Sequence, residues 1–145
     1  ACCDGGSLEN QQRLSSIKSH PQYCDKHKEE KELLLSPLQP DVEARLTYLR
    51  TDINKVQIMP VGNDKEALDS IEEILNLNTP FLEKRRGEAI AGLLYQDSET
   101  LELIPVEEIN LLLNALQAQK DSRSERLSEF FGIKMHFLRL FSGGQ

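Results

Sequence analysis

The cleanest apolar stripe in the chain is Ala67, Leu68, Ile71, Ile74 and Leu75, whose spacings of three and four set them on one side of a helix. These residues are expected in the core. Asn63-Asp64-Lys65-Glu66 precedes the stripe with capping-box-like spacing. Thr79 then reads as a helix cap and Pro80 as the first helical residue, followed by an apolar face of Leu82, Ala89, Ile90, Leu93 and Leu94. With only Asn78 and Thr79 between them, these two helices must turn sharply and pack as neighbours. Pro105 opens another helix carrying Val106, Ile109, Leu112, Leu113 and Leu116, and a last helix is expected from about Arg123 to Phe141.

Upstream, Pro40 suits the first turn of a helix whose stripe is Val42, Leu46, Leu49 and Ile53. Two short stretches alternate instead. Val56 and Ile58 within Lys55–Met59 predict a strand ended by Pro60 and Gly62. Leu101 and Leu103 within Thr100–Ile104 predict a second, able to pair with the first into a small ribbon. From Leu8 to about Leu35 the pattern is helical but polar and is divided by Pro21. The run Asp25–Glu32 reads as a solvated face.

The fold class this predicts is mostly α: an irregular helical bundle of about six helices, with at most a minor two-stranded β-ribbon. Residues 1–7 read as a flexible lead and 8–141 as a single helical domain, with a polar segment at 8–35 and the main core at 40–141. Residues 142–145 read as a flexible tail.

Composition narrows the function classes. The chain has 145 residues, 39% hydrophobic and 28% charged, which is a globular balance rather than a disordered one. Its net charge of −7 and pI near 5.0 set it against nucleic acid, whose phosphates repel it. The sign is uneven, because Arg123, Arg126, Lys134 and Arg139 outnumber Glu125 and Glu129 in 122–145. No apolar run approaches the ~20 residues that span a bilayer. Three cysteines are too few for a disulfide scaffold, which suggests a reducing, cytoplasmic setting. Ala1-Cys2-Cys3 also fits a processed end, so a removed leader or a lipid anchor at Cys2 is a further route to a membrane.

Candidate chemistry is sparse. His20, Cys24 and His27 are spaced by four and three, which on a helix puts them on one face. Imidazole and thiolate are zinc donors, and Cys2 or Cys3 would complete a tetrahedral shell. A polar helix whose His and Cys bind nothing accounts for the same spacing. Paired carboxylates such as Glu72-Glu73 point in different directions on a helix and make no dyad. Phe141-Ser142-Gly143-Gly144-Gln145 resembles the signature of ATP-binding cassette ATPases, but no Gly-x-x-x-x-Gly-Lys-Ser/Thr loop accompanies it and nothing is carried over.

The C-terminal helix holds Phe130, Phe131, Phe137 and Phe141, with Leu127, Ile133, Met135, Leu138 and Leu140. That exceeds one narrow stripe, so the helix is either central in the core or shared with a partner. The leading expectation is a non-enzymatic protein-interaction module, an adaptor, regulator or chaperone-like subunit. It would dock another protein, or a second copy, through Phe130, Phe131, Phe137, Leu140 and Phe141. A small zinc-binding domain is the alternative, and an enzyme whose site is invisible in sequence comes third. The basic side of this helix also offers membrane contact.

Overall fold

The computed structural model describes residues 23–36, 38–97, 99–122 and 127–143, without the side chains of Asp25 and Lys26. In chain order the described elements are α1 (Cys24–Lys28), a 3₁₀ turn (Val42–Arg45), β1 (Leu46–Asp52), β2 (Lys55–Pro60) and α2 (Lys65–Asp69), which continues as a π-turn (Ser70–Ile74). Then follow α3 (Pro80–Leu94), β3 (Tyr95–Asp97), β4 (Glu102–Leu103), α4 (Val106–Asp121) and α5 (Phe131–Phe141). Two compact units divide the chain: residues 1–49 with 56–83, and residues 50–55 with 84–145.

The expected bundle of about six helices is corrected by two small two-stranded antiparallel sheets, β1–β2 and β3–β4. The stretch 46–52, expected to be helical from its leucine spacing, is strand β1. Thr47, Tyr48 and Thr51 favour extended backbone, and β2 begins after only Ile53 and Asn54, so a hairpin closes at little entropic cost. The Asp52 carboxylate accepts the Ile53 N–H at 2.6 Å within that turn. β4 is shorter than the expected Thr100–Ile104 strand and does not join β2. It pairs Tyr95 with Leu103 and Asp97 with Glu102 across a bulge. The nearer partner again closes the smaller loop.

In the first unit, the buried line of α2 and its π-turn is Ala67, Ser70, Ile71 and Ile74, while Leu68 is exposed and Leu75 half-buried. The core thus centres on a serine that the apolar pattern passed over. Burial is tolerated because the Ser70 hydroxyl accepts the Leu35 N–H at 3.0 Å. The Leu75 N–H reaches Ser70 O, five residues back, which gives the turn its wider pitch. Tyr23 and Phe81 stack with centroids 6.1 Å apart, and Tyr23 and Val56 are buried. The Asn78 carboxamide donates to Ile58 O at 2.8 Å and accepts from Ile58 N–H at 2.9 Å. It offers β2 the donor and acceptor that a neighbouring strand would.

Asp64 caps α2 by accepting the Ala67 N–H at 3.0 Å. It also takes the Arg45 guanidinium in a two-pronged pair at 2.6 and 2.8 Å, and Arg45 reaches Glu66 at 3.0 Å. The Arg45 hydrogen bond, reinforced by Ala67, holds the Asp64 carboxyl down at about 2. The folded value lies below the unfolded one, so this contribution is complete above the ordinary aspartate range and disappears as pH falls toward 2. Between about pH 5 and pH 2 the parent is expected to lose more stability than Asp64→Asn, measured by denaturant melts at each pH. Equal losses would show that Asp64 carries no linked proton.

In the second unit the core is Ile90, Leu94, Ile104, Ile109, Ile133, Met135, Phe137 and Leu138. Gly87, in the middle of α3, lies against the Asn54–Lys55 backbone. A Cβ there would stand 2.0 Å from the Asn54 carbonyl carbon. Arg50 donates to Tyr95 Oη at 2.8 Å and Ile53 O at 2.7 Å, with its guanidinium 5.3 Å from the Tyr95 ring centre. The Ile104 N–H returns to Leu94 O at 2.9 Å, which closes the β3–β4 excursion onto the end of α3.

Candidate docking groove

Pro105, with extended ψ, precedes α4, whose first turn carries Glu107 and Glu108 where the helix dipole favours carboxylates. α4 is sixteen residues long and its one buried residue is Ile109. Leu112, Leu113 and Leu116 are half-buried, while Val106 and Leu111 are exposed, Leu111 by 69%. A helix with this many leucines ordinarily hides a full stripe. Here the stripe Leu112, Ala115, Leu116 and Gln119, at spacings of three, one and three, forms one wall of an open groove of about 590 Å³.

Leu93 of α3 lines the groove, as do Ser122, Ser128 and Lys134. Ser128 N–H meets Gln119 Oε1 at 3.4 Å, a long contact that brings the approach to α5 beside α4. The buried Ser128 Oγ has no hydrogen-bond partner among the described residues. Lys134, half-buried as a residue, has no carboxylate partner among them either. Glu129, five residues away in sequence, pairs with Arg85 at 3.6 Å instead. The groove lining therefore mixes five apolar residues, Ala118 among them, with Gln119, Ser122, Ser128 and Lys134; it carries one cation and no anion, and it keeps an unsatisfied hydroxyl.

α5 begins where Phe130 turns into the left-handed region at φ 57°. This start is later than the expected Arg123, and residues 123–126 lie outside the described ones. Of the expected contact residues, Phe137 is 3% exposed and belongs to the core, whereas Leu140 is 58% exposed. Phe130, Phe131 and Phe141 are half-buried. Ile133 is buried as well, so the flank expected to stay open narrows to Leu140, next to exposed Arg139. Burial lowers the His136 pKa on the same helix.

The metal candidates are not assembled as a visible site. Cys2, Cys3 and His20 lie outside the described residues, and Cys24 and His27 are half-buried in α1. No group of three or more possible donor side chains stands together among the described residues. No described helix is long and apolar enough to cross a membrane.

Sequence reasoning placed Leu112 and Leu116 on the apolar stripe of the helix after Pro105 but did not single them out as a site. It missed Ser128 and Lys134 as groove residues, and only their proximity to a leucine-rich helix would have marked them. No family model, curated protein or solved structure matches the chain.

Proposed function

We propose that this chain is a protein-interaction module that docks a partner on its C-terminal helices. The observation that carries this reading is α4, whose sixteen residues place one side chain, Ile109, fully in the core. Its open leucines, with Leu140 on α5, are apolar surface that a partner would cover. Phe137 is buried in the core, and Leu140 meets the partner, with half-buried Phe130, Phe131 and Phe141 as further contact residues of the same helix and its start.

The test uses the full chain as immobilised bait in a cell extract, with self-association followed separately by sedimentation. Leu140→Asp is expected to lose the captured protein while its melt and circular dichroism stay those of the parent. Leu38→Asp, at a 91% exposed position in the other unit, is the control and should retain it. Retention by both variants, or no capture and no self-association by the parent, would overturn the reading.

A further inference from the structure

We infer that the groove along α4 receives an acidic amphipathic helix of a partner protein. The inference rests on the interaction reading above and names the partner's chemistry. Three observations point the same way. The stripe Leu112, Ala115, Leu116 and Gln119 keeps helical spacing along one straight wall, and Ala115 lets another backbone come close. A partner helix meets such a wall with its own residues at spacings of three and four.

The second observation is charge. The chain as a whole carries 24 acidic against 17 basic residues, yet the groove lining holds Lys134 and no carboxylate. Lys134 has no ion-pair partner among the described residues, so a carboxylate arriving with the ligand would meet an uncommitted ammonium.

The third is the Ser128 hydroxyl, buried without a partner in the same lining. A polar atom withdrawn from water costs free energy until something bonds it. Ser128 and Lys134 both line the groove, so a ligand that brings an acceptor would offer that hydroxyl a partner. The groove lies open along one side, which suits a helix laid into it rather than an engulfed small amphiphile.

The experiment titrates the full chain with two synthetic helical peptides that share one leucine stripe. One carries glutamates beside the stripe and the other lysines. Calorimetry gives affinity, and methyl resonances of Leu112 and Leu116 give location. The glutamate peptide is expected to bind and shift those methyls, and the lysine peptide to bind at least about tenfold more weakly. Lys134→Glu should reverse that order, and Ala115→Arg should block both peptides without changing the melt. Equal binding of the two peptides, shifts elsewhere than the groove, or no binding would overturn the inference. So would laurate filling the groove where the peptides do not, or a Leu116-dependent dimer that excludes them. If Leu140→Asp still abolishes capture while the glutamate peptide ignores the groove, the interaction reading stands and this inference alone fails.

Discussion

Gly87→Ala is expected to destabilise the protein by about 3 kcal/mol or more, among the largest effects of any single methyl in this chain. The added Cβ would meet Asn54 C at 2.0 Å, Asn54 O at 2.2 Å and Lys55 N at 2.4 Å. All three are backbone atoms, so no rotamer change relieves the clash. Either α3 moves away from the turn between β1 and β2, or the turn is rebuilt. The control sits five residues on in the same helix. A Cβ at Gly92 meets nothing within 4 Å, so Gly92→Ala should be neutral or stabilise by up to about 1 kcal/mol through helix propensity. Denaturant melts of the pair check this. A loss below about 1 kcal/mol for Gly87→Ala would mean the backbones do not approach as described.

Leu138→Ala should cost about 2–5 kcal/mol, because its side chain is fully buried and the hole it leaves is lined by packed neighbours. Leu140→Ala, two residues further along α5 and 58% exposed, should change stability by less than about half a kcal/mol. The contrast tests which parts of the aromatic-rich helix are structural. Similar costs at both positions would place Leu140 in the core and remove it from the docking surface. Chemical denaturation with unchanged m-values would exclude an altered unfolded state as the cause.

Punctuation was the most legible part of the sequence. Thr79-Pro80 starts α3, with Leu82 N–H on Thr79 Oγ1 at 3.3 Å, and Pro105 immediately precedes α4. These residues act locally, through φ and through a side-chain acceptor, so no distant contact is needed to see them. β2 was legible for the same reason, being a short alternating run closed by Pro60 and Gly62.

β1 was not, because Leu46, Leu49 and Ile53 fit a helical period as well as Tyr48 and Arg50 fit an alternating one. The decision belonged to β2, which lies outside that window. Gly87 carried a signal that went unread: a glycine inside a helical pattern usually marks a close approach. The groove was hidden for a different reason. Periodicity shows that Leu112 and Leu116 share a face with Ile109, but whether anything covers that face is decided by how α3 and α5 pack, outside the window of the helix itself. The orphaned Ser128 hydroxyl has no counterpart in pattern at all.

The carboxamide of Asn78 gives the β1–β2 hairpin a timetable. Ile58 offers its N–H and C=O to that side chain, which is made twenty residues later. Until the turn before α3 has formed, those two groups are an unprotected edge, able to template a strand from another molecule. At Ile58 the hazard therefore belongs to the folding chain, and it ends there once Asn78 is in register. Refolding at high protein concentration is where this hairpin would recruit its neighbours, whereas the native protein presents an edge that is shut at Ile58.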